Sequence, residues 1–209
     1  MNVSTSPKRF IRREVHHPQT PELIYQAAVT LFRERGYHAT SIRDIAMAAN
    51  IQPATIYHYY GNKEALLYTI MERTLLDLLK LQAGVLGRTG DPVAQLRELM
   101  RAHVRFHCER ALEAFVADYE LRGLGEEFSP QIRAYRDQYQ AAFRAILEAG
   151  VQQGVFSVPD IHVTTNTLLV MASGAVTWYH AGGRLSLEEI ADIHATLALK
   201  AVSAFPPPA

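Results

Sequence analysis

The chain has 209 residues, 48% of them hydrophobic and 20% charged, with 21 Lys/Arg against 21 Asp/Glu and a formal net charge of zero. This is a globular composition, long enough for one sizeable core or two small domains. Cys108 is the only cysteine, which excludes an intrachain disulfide and a cysteine-based metal cluster and points to a reducing cytoplasm.

The first residues, MNVSTSPKRFIRREVHH, are basic but hold no apolar signal core, and the longest apolar stretch, near Thr167 to Val176, is far short of a membrane span. The expectation is a soluble cytoplasmic protein that is neither exported nor membrane-bound. The charge is unevenly placed: residues 1–65 hold eight Lys/Arg and five Asp/Glu, a net of +3, so the remainder carries −3. A basic end on an acidic body suits a protein that presents that end to a polyanion. Residues 1–19 read as a flexible basic arm whose Lys8, Arg9, Arg12 and Arg13 either enter a minor groove, raise nonspecific affinity, or have no role.

Thr20 is expected to cap the first helix, with Pro21 and Glu22 in its first turn, and Gly36 to close it. Thr40 and Ser41 open a second helix with Ile42, Ile45 and Ala46 inward, Ser41 and Asp44 standing at capping-box spacing. Asn50 and Ile51 make a turn. A short third helix, from about Gln52 to Tyr59, is anchored by Ile56 and leaves Ala54, Thr55, Tyr57, His58 and Tyr59 outward, a surface that suits a major groove. The whole of 20–66 therefore reads as a helix-turn-helix DNA-binding domain.

The pattern G-Y-x-x-T-S-I-x-x-I-A-x-x-A, a turn, then A-T-I-Y-H-Y-Y-x-N-K-E-A-L-L resembles the tetracycline-repressor (TetR) family over roughly residues 20–70. Carried over position by position, the resemblance implies phosphate contacts from Thr40, Tyr57, Tyr59 and Lys63, and base-edge contacts from some of Gln52, Pro53, Ala54 and His58, with Thr55 on the same helix. Two departures stand out. Gln52 replaces the usual hydroxyl cap of the recognition helix and Pro53 follows it, so base preference does not transfer. Asn62 caps the next helix and puts Lys63 in its first turn, where charge and free N–H groups address one phosphate together. Tyr60, Ile45 and Ile56 are expected only to hold the unit together.

After Asn62 the chain reads as helix at about 62–86, 92–121 with a break near 110–112, 128–152, 159–181 and 186–204, separated by glycine- and proline-bearing breaks. The fold expected is all-α: a three-helix reader, then an effector-binding and dimerisation domain over 67–204, about nine helices in all, with residues 205–209 a disordered tail. Leu96, Met100, His103, Val104 and His107 form one apolar stripe. Ile132, Tyr135, Tyr139, Phe143 and Ile146 form another, and Phe115, Tyr119, Met171 and Trp178 add bulk. Such stripes are more often core than cavity. The family resemblance implies instead an effector cavity among the middle helices, with Met100, His103, Val104, His107, Tyr119, Tyr139, Phe143, Met171 and Trp178 as candidate effector-binding residues.

The last two helices resemble the family's dimer element, with Leu168, Leu169, Ala172 and Ala175 on one and Ile190, Ile193, Leu197 and Val202 on the other. W-Y-x-x-G-G-R-L-S-x-E-E-I-A, Trp178 to Ala191, resembles the end of members that respond to acyl-coenzyme A thioesters, although Gly182, Gly183 and a Ser186/Glu189 capping box explain it structurally. Arg184 reads either as a phosphate ligand or as a solvated loop residue, and Arg101, Arg105, Arg122, Arg133 and Arg144 offer too many cations to choose among.

His103 and His107 have a spacing that can hold one metal ion, but no third ligand is evident and Cys108 projects about 100° from His107 on an ideal helix, so a packed or pocket-lining pair is expected and no metal. No nucleophile elbow, phosphate-binding loop or paired-carboxylate signature occurs, and GLGEEF at 123–128 lacks the last glycine of a dinucleotide fingerprint. The reading is a non-enzymatic, homodimeric, ligand-responsive repressor without cofactor, partnered by double-stranded operator DNA and a small apolar effector. The alternatives are a sensor of hydrophobic drugs or aromatic compounds, and a helical dimeric adaptor.

Overall fold

The computed structural model describes residues 19–203, so the basic arm, Gln19 apart, and the tail lie outside the described residues. Among the described residues there are nine α-helices and no strand: α1 Thr20–Arg35, α2 Ile42–Ala48, α3 Pro53–Tyr60, α4 Lys63–Leu86, α5 Pro92–Glu109, α6 Ala111–Tyr119, α7 Ser129–Gln152, α8 Ile161–Ser173 and α9 Leu187–Ser203. The all-α architecture expected from the periodicity is the one found.

Local signals set most boundaries. Gly36 (φ 83°) ends α1, Ser41 and Asp44 form the full capping box of α2, and Asn50 turns the chain at φ 54°. The Asn62 side chain accepts from the Ala65 amide, Asp91 caps α5 and Asp160 caps α8. The α5–α6 break falls at Arg110 (φ −116°, ψ 45°). Two expectations need correction. Thr20 is not a cap: it is a buried helical residue, preceded by Gln19, whose side chain makes no capping bond. The segment read as helix to residue 181 leaves α geometry at Ser173 and tightens into a 3₁₀ turn, Gly174–Thr177, because glycine is the weakest helix former there apart from proline.

Apolar burial divides the core in two, and α4 belongs to both halves. Leu66, Leu67, Ile70, Met71 and Leu75 join Ile24, Phe32, Ile45 and Ile56 of the reader, along with Val116 and Ala117 of α6. One to three turns later, Leu78 and Val85 join Leu96, Met100, Val104, Phe143, Leu168 and Ala198 in the body. α5 runs through that body and packs most extensively on α9. Where α7 ends, the Phe156 ring lies on Gly150, so close that a Cβ there would sit 1.9 Å from the ring.

Candidate DNA interface and effector cavity

The reader presents α3 on its surface because Ile56, at 0% exposure, fixes one face against Ile45 and Ala46 of α2. Gln52, Ala54, Tyr57 and His58 are exposed, and Pro53 and Tyr59 are partly so. Gln52 makes no capping bond through its side chain, as its weak cap propensity predicts, and Pro53 occupies the first turn. Tyr60 donates its hydroxyl to the Pro21 carbonyl at 2.9 Å, a tie between α3 and α1.

Two expected contacts are placed differently. Thr55 is buried, at 7% exposure, because it lies next to Ile56 on the inward edge of a two-turn helix. Thr40 is buried at 1%; its hydroxyl donates to the Gly36 carbonyl at 2.9 Å and approaches that of Leu31, so its side chain closes the α1–α2 turn. Lys63 is partly committed inward as well. Its ammonium donates to the carbonyls of Tyr37 (2.9 Å) and Thr40 (2.8 Å), lies 4.1 Å from the Tyr37 ring centroid, and has its pKa lowered by burial. It still borders a recess of about 810 Å³ whose wall includes Ser41, Arg43, Pro53 and Tyr57, so the same loop-and-helix surface that Lys63 braces is concave and bears hydroxyls and an exposed guanidinium.

In the body, a cavity of about 300 Å³ opens between α4, α5, α6, α7 and α8. Four expected residues line it: His103, His107, Tyr119 and Tyr139. Met100, Val104 and Phe143 are fully buried in the core outside its lining, and Met171 is packed against the same core. Trp178 is 54% exposed, stacks on His194 at 6.0 Å between ring centroids, and borders a separate recess with Arg184. The 3₁₀ turn carries it away from the cavity.

The polar wall of the cavity is a connected set. His103 Nδ1 lies 2.9 Å from the Tyr139 hydroxyl and its Nε2 3.0 Å from Ser173 Oγ; the ring stacks on His107 at 4.0 Å. Burial, then the neighbouring His107, holds the His103 pKa well below the ordinary value, so this ring is neutral. His107 Nδ1 is 2.9 Å from the His103 carbonyl, while its Nε2 faces Asp118 Oδ2 at 3.5 Å and Ser173 Oγ at 3.4 Å. Arg136 reaches in from α7 and donates to the carbonyls of Ala117 and Asp118. Asp118, Arg136 and Ser173 were missed in the sequence because no spacing links them: each comes from a different helix.

One element joins cavity and reader. Asp118 and Tyr119 at the end of α6 line the cavity, while Val116 and Ala117 lie in the reader's core and Phe115 lies 3.8 Å beneath the Arg33 guanidinium of α1. Beyond α6, the Gly125 amide donates to Glu64 at 2.7 Å and Gly123 lies against Tyr37 and Leu67. A wider groove of about 530 Å³ between α4 and α5 is charged, but Arg101 is paired with Glu188 and Asp192, and Arg105 with Glu188 and Glu109.

The surface of the last two helices is also rearranged. Leu168, Leu169, Ala172, Ala175, Ile190 and Val202 face their own subunit's core; Ile193 (44%) and Leu197 (48%) on α9, with Val163 (63%) and Val170 (73%) on α8, are the apolar residues left outside. Ile193 and Leu197 thus remain outside as read in sequence, whereas on α8 the exposed apolar residues are Val163 and Val170 in place of Leu168, Leu169 and Ala172. Among the described residues no helix is long and apolar enough to cross a membrane.

An exposed short recognition helix, braced from behind and coupled by α6 to a cavity in a helical body, defines a helix-turn-helix regulator. The chain belongs to the TetR family of bacterial regulatory proteins: residues 24–69 match the family's DNA-binding region, "Bacterial regulatory proteins, tetR family", and residues 89–202 match "Tetracyclin repressor-like, C-terminal domain". The chain is thus a transcriptional regulator and not an enzyme. It is 29% identical over 174 residues to the transcriptional repressor KstR2 of Rhodococcus jostii, covering 82% of this chain and 85% of that one. Its fold superimposes on the regulator PfmR of Thermus thermophilus with a TM-score of 0.77 at 33% identity, covering 86% of this chain and 98% of the other. The TM-score is again 0.77, at 29% identity, on AibR crystallised with isovaleryl coenzyme A and operator DNA, covering 85% of this chain and 97% of AibR.

Proposed function

We propose that the protein is a homodimeric, one-component repressor of a palindromic operator, released when a small apolar effector occupies the α4–α8 cavity. The observation that carries this reading is α6, which forms part of the cavity wall with Asp118 and Tyr119 and part of the reader's core with Val116 and Ala117. A displacement at one end moves the other. Dimerisation is supported by the uncovered Val163, Val170, Ile193 and Leu197, and by the need of a short recognition helix for a second copy to read a long site. The DNA contacts are assigned to Gln52, Pro53, Ala54, Tyr57, His58, Tyr59 and Lys63.

The effector is proposed to be an acyl-coenzyme A thioester, whose acyl chain or ring enters the cavity while the nucleotide lies outside. A volume of about 300 Å³ suits the acyl part and not the coenzyme. The relative AibR binds such a thioester and DNA in the same crystal. A second reading, a small apolar compound without coenzyme, is favoured by the pairing of Arg101 and Arg105 with carboxylates, which leaves neither to hold a coenzyme phosphate.

The test is a mobility shift on a palindromic duplex, competed by specific and by random DNA, with and without saturating acyl-coenzyme A, free acid or coenzyme A. Release needs roughly a 100-fold preference for the free state, about 2.7 kcal/mol, if the two states start near balance. Release by thioester alone supports the first effector, release by free acid alike supports the second, and operator affinity that no apolar ligand alters refutes the release mechanism.

A further inference from the structure

The cavity's hydrogen-bond geometry specifies more than an apolar occupant. A backbone carbonyl only accepts, so the His107 Nδ1 at 2.9 Å from the His103 carbonyl carries the proton, and in the neutral ring Nε2 is an acceptor. It faces a second acceptor, Asp118 Oδ2, at 3.5 Å. A charge-assisted N–H to carboxylate bond closes to about 2.7–2.9 Å, so at this separation the two groups are not directly bonded. Ser173 Oγ stands beside them, 3.4 Å from the same nitrogen, and its other partner, His103 Nε2, is 3.0 Å away. Two facing acceptors with a hydroxyl alongside form a seat completed by one donor hydrogen on an oxygen that itself accepts.

Charge at this seat is already balanced. Arg136 is the cation of the wall, yet its guanidinium is bonded into the α6 backbone at Ala117 and Asp118, and the Asp118 carboxylate opposes its charge. A second carboxylate entering here meets Asp118 in a half-buried site where, among the described residues lining it, the one arginine is already bonded to the backbone. Behind the polar seat, Leu75, Leu78 and Leu169 present an apolar wall.

We infer that the cavity selects an uncharged apolar molecule bearing a hydroxyl group, which donates its hydrogen between Asp118 and His107 and accepts from Ser173, and that it discriminates against a carboxylate at that position. The inference rests on the reading of this cavity as the effector site. For an acyl thioester it places the hydroxyl on the acyl chain or ring, away from the coenzyme.

Three probes on one naphthalene frame, the first two near-isosteric, test it by calorimetric titration of the full-length protein: 2-naphthol, 2-methylnaphthalene and 2-naphthoate. The expected order has 2-naphthol tightest, by about tenfold over 2-methylnaphthalene, the worth of one buried hydrogen-bonded hydroxyl, with 2-naphthoate weaker than both. Asp118→Asn removes the like charge and is expected to raise the affinity of 2-naphthoate relative to 2-methylnaphthalene by about tenfold, a ratio that a general loss of folding does not change. Ser173→Ala is expected to reduce the preference for 2-naphthol over 2-methylnaphthalene. Equal binding of 2-naphthol and 2-methylnaphthalene, or 2-naphthoate binding as tightly as 2-naphthol, overturns the inference and leaves the cavity reading intact. If none of the three binds, the cavity is not an effector site and both readings fall.

Discussion

The Lys63 ammonium donates to the Tyr37 carbonyl at 2.9 Å while lying 4.1 Å from the centre of the same residue's ring, so one lysine grips both the backbone and the side chain of the α1–α2 loop. A second bond, to the Thr40 carbonyl at 2.8 Å, pins the end of that loop where α2 begins. The residue that the sequence nominates for a phosphate is also the brace that sets the angle between the first two helices of the reader and α4.

Lys63→Ala is therefore expected to act in two ways. Operator and random DNA lose affinity alike, with the salt slope reduced by about one contact per subunit. The free protein also loses about 1–2 kcal/mol, because two buried-side carbonyls lose a charged donor. Salt-dependent binding and urea unfolding of the same variant measure both. A variant that loses affinity only for the cognate operator would make Lys63 a base reader.

Tyr57 is 53% exposed on α3, beside Pro53 and Lys63 at the concave recess. Tyr57→Phe is expected to cost about 1 kcal/mol of DNA affinity, roughly fivefold, with unfolding unchanged. An unchanged affinity would make the tyrosine a packing residue.

Ile193 and Leu197 lie four residues apart on the outer face of α9, with Val170 exposed on α8. Ile193→Glu with Leu197→Glu is expected to raise the dimer dissociation constant by more than about 100-fold, since each buried aliphatic side chain is worth about 1.5–3 kcal/mol. Sedimentation equilibrium reads the result. Operator binding should fall with it, whereas a variant that stays dimeric would place the interface on another face.

Gly150 has no room for a side chain: a Cβ would meet the Phe156 ring at 1.9 Å, and the Gly150 carbonyl also accepts from the amides of Val155 and Phe156. Gly150→Ala is expected to destabilise the protein by about 1–3 kcal/mol or more through overpacking of the α7–α8 turn. The combination with Phe156→Ala should recover part of that loss, which thermal unfolding of the single and double variants reveals.

His103 gives stability a pH dependence of definite sign. Its pKa in the folded protein is depressed, chiefly by burial, so below the ordinary histidine value, about 6.5, the unfolded chain binds a proton that the native state refuses. The stability present above that pH is lost as the pH falls further, at up to about 1.4 kcal/mol per pH unit for one site. Urea unfolding between pH 5 and 7.5 should show a shallower slope for His103→Gln than for the parent protein; equal slopes would mean that His103 is protonated in the fold.

The reader was legible in the sequence because its geometry is local. Capping residues, the left-handed Asn50, and apolar anchors three or four residues apart act within a turn or two of chain, so Ser41, Asp44, Ile45, Ile56 and Asn62 were found where their spacing put them. Helical periodicity likewise gave the body's helices to within a few residues, except where Gly174 tightened α8. What periodicity cannot give is the rotation of one helix against another. That rotation put Leu168 and Ile190 inward and Val170 outward, and it sealed Met100 and Phe143 in the core while Trp178 was carried outside. It also brought His107, Asp118, Arg136 and Ser173 from four helices to one wall, a set that no sequence spacing encodes because their meeting depends on how α5, α6, α7 and α8 cross. Identity and local shape were thus written along the chain, whereas the chemistry of the cavity was decided only by tertiary packing.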